Sequence, residues 1–281
     1  MPEGPEVEYT LQTLKELEGL VIESIKLTRL SQKYQRYKGK QKEFLCFSKK
    51  VLSKIERHGK FLVWIFNNNK VILNHLGMSG KWIITSKNKI KNIKHAKVII
   101  NFEGEEIITV FDDIRNFGQF RIFENYDEVM NYKPIKKLGL NGLELPFPSS
   151  EFYKILKQKR NLNKAIGQVL LDQTVVAGVG NIYKSESLFL AKINPLRSVK
   201  SLQSEEIEKI GSAISEILQR AVKSMGSTIN DYRNPYGEEG EAQKWHKVYG
   251  KEGKDCMICG NKIMRIVQNK RSTFYCERCQ Q

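Results

Sequence analysis

Apolar runs long enough to cross a membrane are missing from this chain of 281 residues. A bilayer span takes ~20 consecutive apolar residues, and no stretch approaches that. The first residues are acidic and carry no apolar run, so no signal peptide is expected and the protein reads as intracellular. Cysteine is almost absent until the end: of five, only Cys46 lies outside the last 26 residues. That distribution argues against a disulfide framework and for a metal site in a reducing compartment. Internal repeats and low-complexity tracts are missing too. Acidic residues are in deficit, with 31 Asp and Glu against 47 Lys and Arg, which leaves a net charge of +16. Such an imbalance points to a polyanion, nucleic acid or an anionic membrane surface, with a solvated lysine-rich surface as the plain alternative.

What is present is globular, with 40% apolar and 28% charged residues. Val7, Leu11, Leu14 and Leu17 mark one face of a leading helix, with Pro5 in its first turn and Gly19 as a stop. FLVWIF, KVILNHL, KWIIT, KVIINF and EIITVF then read as short strands of a β-sandwich or barrel. KLGLNGLELPFPSS, rich in Gly and Pro, reads as a linker. The chain beyond it reads as helical. Ser204 is the expected cap of a long helix with Glu205 and Glu206 in its first turn and Ile207, Ile210, Ile214, Ile217 and Leu218 on one face. Residues 225–254 lack periodicity and read as a loop or lid.

Cys256-x2-Cys259 and Cys276-x2-Cys279 lie sixteen residues apart. Two such knuckles can aim four thiolates at one tetrahedral Zn²⁺, and a closed site of that kind is structural. Between them NKRSTFYC reads as a β-hairpin with Arg271 at its tip. Residues 251–281 hold seven Lys or Arg against three Asp or Glu, so an exposed arginine there suits a phosphate. GVGNIY at 178–183 is a Gly-rich turn into a helix. Its amides, with the Asn181 side chain, suit an anion, although a tight helix-to-helix turn explains the glycines equally well. Lys60, beside Gly59 at the mouth of a strand, reads as a solvated gatekeeper when taken alone. Met78, Arg115 and Phe117 sit beside glycines in HLGMSG and DIRNFGQF. Core packing is one account of Met78 and Phe117; wedges that fill the gap left by a displaced base are the other.

Two prolines and three glutamates crowd MPEGPEVE at the terminus, where chains are usually frayed. That stretch, RHGKFL, HLGMSG, DIRNFG, LLDQTVVAGVGNIY, VYGKEG and the ending NKRSTFYCERCQ with its CxxC pairs make seven matches in one order. Together they resemble the formamidopyrimidine-DNA glycosylase and endonuclease VIII family of base-excision repair enzymes, over the whole chain. The resemblance implies an α+β fold of two domains: an N-terminal β-sandwich with a leading helix, then a helix-two-turn-helix domain ending in a zinc-finger β-hairpin. The implied boundaries are 1–133 for the catalytic sandwich, 134–150 for a linker, 151–250 for the helical domain with a lesion-capping loop near 225–250, and 251–281 for the zinc finger.

The resemblance further implies a bifunctional glycosylase and abasic-site lyase. Removal of Met1 exposes Pro2 as a secondary amine, whose unperturbed pKa near ~8 leaves a useful neutral fraction. Attack at C1′ gives an iminium, an electron sink that divides base loss and strand cleavage into easier steps. By resemblance Glu3 is the acid/base at the sugar, Lys60 the proton donor in β-elimination and Glu6 a supporting carboxylate. Met78, Arg115 and Phe117 fill the void, His95 contacts DNA, and Asn181 binds phosphate. Arg271 is the zinc-finger arginine assigned to phosphate and δ-elimination; a guanidinium gives up a proton with difficulty, which favours the phosphate role. The implied partners are one structural Zn²⁺, no organic cofactor, and duplex DNA with oxidised bases or abasic sites. A monomer without membrane attachment is expected, in cytoplasm or nucleoid, or in a nucleus or viral factory.

Three features bear on the substrate. Gly4 is more like the endonuclease VIII branch, whereas GSTINDYRNPYGEEG and VYGKEG resemble the loop that caps an oxidised purine. Gly167 stands where the formamidopyrimidine branch commonly has Lys. Oxidised purines are therefore expected ahead of oxidised pyrimidines, either one flipped from the duplex. A non-catalytic damaged-DNA-binding protein and an RNA-binding zinc protein are the rival classes. Both leave Pro2, Glu3 and Lys60 without a purpose.

Overall fold

The computed structural model describes residues 1–34 and 40–281. The chain divides into two units, one of Met1–Pro2, Glu6–Lys136 and Met225–Gly240, the other of Glu3–Pro5, Lys137–Ser224 and Glu241–Gln281.

In the first unit, helix α1 (Gly4–Leu14) and the tight turn after it bury Val7, Leu11, Leu14 and Leu17, the stripe that a 3.6-residue period places on one face. Strand β1 (Ile22–Leu27) and the short α2 (Arg29–Gln32) follow. Then come β2 (Leu52–His58), β3 (Phe61–Phe66), β4 (Val71–His75), β5 (Lys81–Ser86), β6 (Ala96–Phe102), β7 (Ile107–Asp112) and β8 (Gln119–Phe123). They form two four-stranded antiparallel sheets, ordered β1-β6-β7-β5 and β2-β3-β4-β8. Alternation sets the register of Ile25 and Leu27 opposite Ile100 and Val98, a register shift between Ile22 and Ser24 puts Ile22 opposite Phe102, and all six are buried. Trp64 and Trp82, from opposite sheets, meet with ring centroids 4.8 Å apart in the shared core. Two short helices, α3 (Tyr126–Asn131) and α4 (Lys133–Lys136), complete the sandwich.

The second unit opens with β9 (Leu140–Asn141), followed by helices α5 (Ser149–Leu156), α6 (Lys159–Leu162) and α7 (Ile166–Val169). Strand β10 (Val176–Ala177) pairs in parallel with β9 and leads into α8 (Asn181–Leu190) and α9 (Ser204–Lys223). The hairpin of β11 (Met264–Gln268) and β12 (Arg271–Tyr275) ends the chain. Ile207, Ile210, Ile214 and Leu218 of α9 pack with Phe152, Leu170, Val179 and Tyr183.

Three local expectations change. The cap of α9 is Gln203, not Ser204: the Gln203 N–H donates to Glu206 Oε2 at 2.9 Å, and the Gln203 side chain accepts in return. Glu206 is the third residue after Gln203, the spacing a reciprocal box requires, and Ser204 comes one residue late. The Gly- and Pro-rich stretch is not a free linker. Ser215 Oγ donates to Glu144 C=O at 2.9 Å, Gln219 Nε2 donates to Leu143 C=O, and Leu143 is buried. Residues 225–240 group with the sheet unit, although the sequence reading assigns them to the helical domain.

Candidate active site and nucleic-acid interface

Glu3 is tightly held. It is 3% exposed, and its carboxylate accepts the N–H of Ile182 at 3.0 Å and of Tyr183 at 3.4 Å, at the start of α8. Unpaired amides and the positive end of the helix dipole favour an anion there. The GVGNIY turn therefore does hold an anion through its backbone, and the anion is the chain's own carboxylate. Gly180 is required by this packing, because a Cβ there would lie 2.2 Å from Glu3 Cδ. The neighbouring Gly4 N–H donates to Gly178 C=O at 2.7 Å and fixes the segment further. Asn181 is the first residue of α8, and its Nδ2 donates to Ser272 C=O at 2.5 Å, next to Arg271.

In the sandwich unit Pro2 is buried and Met1 before it is exposed. Lys60 lies in the β2–β3 turn and is only 7% exposed, so it is no solvated gatekeeper. Arg57 steadies that turn, with Nη1 on Gly59 C=O at 2.8 Å and Nε on Glu8 Oε2 at 2.6 Å. Burial, and then the charge of Lys60, push His75 down to about 4. A neutral His75 accepts the Gly77 N–H on Nδ1 at 3.0 Å, which pins the loop carrying Met78.

Met78 and Phe117 are 39% and 41% exposed, so neither is a core residue. Their loops are joined by the buried Asp113. One of its oxygens accepts the Ser79 hydroxyl at 2.7 Å and the other the Gly118 N–H at 2.7 Å. Ser79 Oγ also accepts the Arg115 N–H at 2.9 Å, and the guanidinium of Arg115 lies 5.4 Å from the Phe117 ring centre. The His95 N–H donates to Asp112 Oδ1 at 3.0 Å, and its C=O accepts the Asp113 N–H at 3.2 Å. Met78, His95, Arg115 and Phe117 thus share one end of the sandwich.

Glu6 is 1% exposed, and its Oε1 accepts the Ser227 N–H at 2.7 Å. The Tyr232 hydroxyl donates to the Glu6 C=O at 3.3 Å. This carboxylate fastens the 225–240 segment, which is closed on itself by Thr228: Thr228 Oγ1 donates to Tyr232 C=O and accepts the Gly240 N–H, both at 2.9 Å.

The four cysteine sulfurs lie within 4.8 Å of one another, with Cys256 and Cys279 at 3.8 Å and Cys259 and Cys276 at 3.4 Å. A tetrahedral Zn–S bond of 2.3 Å requires S···S separations of about 3.8 Å, so the thiols fit a zinc ion. Phe189, Val248 and Ile263 pack around the knuckles. Asn269 and Lys270, both at positive φ, turn the hairpin, and Arg271 is the exposed first residue of the returning strand. Arg271 borders a polar cleft with Asn161, Lys164, Gln168 and Asn269.

Three family models match successive parts of the chain. They are the formamidopyrimidine-DNA glycosylase N-terminal domain over residues 1–120, the formamidopyrimidine-DNA glycosylase H2TH domain over 138–233, and the zinc finger found in FPG and IleRS over 253–281. The chain belongs to the formamidopyrimidine-DNA glycosylase family. It is 38% identical to the formamidopyrimidine-DNA glycosylase of Rickettsia conorii over 283 aligned residues, 100% of this chain and 99% of that one. Among solved structures it resembles wild-type Lactococcus lactis Fpg in complex with DNA containing N7-benzyl-Fapy-dG, at 33% identity and a TM-score of 0.87 over 100% of both chains. A complex of the same Lactococcus protein with DNA containing an oxidised pyrimidine gives a TM-score of 0.86 over 100% of both chains at 33% identity. No helix among the described residues is long and apolar enough to cross a membrane.

The family pattern also leaves Gly167 to explain. A Cβ at Gly167 would fall 2.3 Å from Gln268 Oε1 and 3.0 Å from Pro195 Cβ, so the hairpin fills the space a side chain would take. Sequence reasoning gave Asp113 no role and His75 none beyond burial or surface hydration. Asp113 sits in the quoted DIRNFG, and the signal was there: a carboxylate beside glycine-flanked loops needs N–H partners.

Proposed function

We propose that this chain is a bifunctional DNA glycosylase and abasic-site lyase that excises oxidised bases from duplex DNA. The observation that carries the reading is Glu3, buried and held by two helix amides, one residue after Pro2. A carboxylate so fixed is suited to proton transfer at a sugar, and the adjoining residue is the one whose freed amine attacks it. With Met1 removed, the Pro2 nitrogen bonds to C1′ as the glycosidic bond breaks and the base leaves with a proton. The ring-opened sugar becomes an iminium. Loss of the C2′ proton then expels the 3′ phosphate by β-elimination, δ-elimination expels the 5′ phosphate, and water hydrolyses the iminium to restore Pro2. Lys60 serves as the proton donor in elimination. Met78, Arg115 and Phe117 enter the duplex where the damaged nucleotide has left it, and His95, Asn181 and Arg271 bind the backbone.

One structural Zn²⁺ on Cys256, Cys259, Cys276 and Cys279 holds the hairpin, and the chemistry needs no organic cofactor. The enzyme acts as an intracellular monomer on duplex DNA. Its functional divisions are the catalytic domain 1–133, the helical domain 151–250, whose lesion-capping loop near 225–250 groups over 225–240 with the sheet unit, and the zinc finger 251–281. Oxidised purines, 8-oxoguanine and formamidopyrimidines, are the main substrates. That order rests on the resemblance of GSTINDYRNPYGEEG and VYGKEG to a purine-capping loop, while the Lactococcus complexes with a Fapy-dG derivative and with an oxidised pyrimidine support binding of both lesion classes. The test is release of free base from duplexes carrying 8-oxoguanine or an oxidised pyrimidine. Faster release of 8-oxoguanine is expected; binding of both without release of either would leave a DNA-binding protein.

A further inference from the structure

Lys184, in the first turn of α8, is a buried cation with no part in the chemistry above. It is fully buried, and its Nζ donates to Asn181 Oδ1 at 2.9 Å and to Thr273 Oγ1 at 2.6 Å. Thr273 in turn donates to Gln268 Oε1 at 2.9 Å, and Gln268 Nε2 donates to Pro195 C=O at 3.0 Å. Thr273 and Gln268 are buried as well. The result is a chain of donors running beneath the hairpin that carries Arg271. Asn181 closes it from above through Ser272 C=O.

Two acceptors meet a group that has three hydrogens as an ammonium and two as an amine. Both acceptors are therefore satisfied by the neutral form, while the third hydrogen of the charged form needs a negative field in place of a partner. The charged and titratable groups around it are Glu3 from the N-terminal segment, Arg271 from the hairpin and Tyr249 from the preceding loop. On its own helix Glu186 is engaged elsewhere, accepting the N–H groups of Lys247, Val248 and Tyr249. Burial pushes Lys184 down to about 7, Glu3 opposing that fall and Arg271 adding to it.

We propose that Lys184 is a positioning residue that locks the Arg271 hairpin to the start of α8, and that it takes up a proton when a DNA phosphate seats on Asn181 and Arg271. A phosphate cancels the field of Arg271 and adds a negative charge of its own, both of which favour the ammonium. The inference rests on the DNA-repair reading.

Calorimetric titration with a duplex carrying a tetrahydrofuran abasic analogue, in buffers of different ionisation heat, tests it on the zinc-loaded protein. At pH 7 a lysine pushed this far down predicts net uptake of a fraction of a proton per complex beyond any other linked group. Lys184→Met and Lys184→Gln both remove that increment; Gln retains a donor for Thr273 and guards against a folding defect. Loss of the increment in a variant that still binds supports the inference. Uptake unchanged in both variants overturns it and leaves the repair reading standing. Failure of the wild-type protein to bind the duplex overturns both.

Discussion

The Glu3 carboxylate accepts the Ile182 N–H at 3.0 Å, a bond between residues 179 positions apart in the chain. It holds Glu3, the residue after Pro2, on the first turn of a buried helix, where a free terminus would fray. Glu3→Gln keeps an acceptor for the helix amide and loses the proton-transfer group. Excision in single turnover falls by ~100-fold or more, the range for a general acid/base, with the melting temperature nearly unchanged. Base release and thermal melting of the same preparation check this.

Asp113→Ala frees the two loops that carry Met78 and Phe117. It removes an acceptor from the Ser79 hydroxyl and from the Gly118 N–H, both buried bonds to a carboxylate. Stability drops by about 2–4 kcal/mol, and urea unfolding measures it. On the proposed reading affinity for an abasic duplex falls as well, because Met78 and Phe117 are no longer pre-placed.

Stability has a histidine-dependent acid limb. His75 and His246 are each held down to about 4, by burial first and then by the charges of Lys60 and Lys251 respectively. A depressed folded pKa leaves the folded state neutral while the unfolded chain takes up protons from about pH 6.5 downward. These sites therefore add no pH dependence above about 6.5, and their stability is lost as pH falls from there toward 4. Urea midpoints at pH 7.5 and 5.5 show the fall, and His75→Asn flattens it.

Chelation of zinc should release the hairpin before the rest of the chain. Once the ion is gone the sulfurs take up protons and nothing bonds them within 4.8 Å of one another, so the small core of Phe189, Val248 and Ile263 loses its frame. On the proposed reading, in which Arg271 binds a phosphate, DNA affinity drops at least about tenfold, and added zinc restores it. Retention assays with and without chelator read the change.

The sandwich, the long helix and the metal site were legible because each rests on spacing. Ile25 and Leu27 alternate, Ile207 to Leu218 recur at helical intervals, and two CxxC pairs need no long-range information. Tertiary partners were not legible. The GVGNIY amides advertise an anion site, but nothing nearby says that the anion comes from residue 3. Composition misplaced the 137–150 stretch as a linker, because the bonds that bind it come from Ser215 and Gln219. The 225–240 segment shows no period because Glu6 and its own Thr228 hold it, through contacts of side chain with backbone. Lys60 and Glu6 drew notice by position, but taken alone Lys60 read as a solvated gatekeeper, and the burial of both depends on tertiary contacts that no local pattern shows.

Borohydride reduction in the presence of an 8-oxoguanine duplex, followed by peptide mapping, tests the nucleophile directly. The account predicts a stable protein–DNA adduct on an N-terminal peptide that lacks Met1, with the added mass on Pro2. An adduct on a lysine, or none from a zinc-loaded protein that binds the duplex, would contradict it.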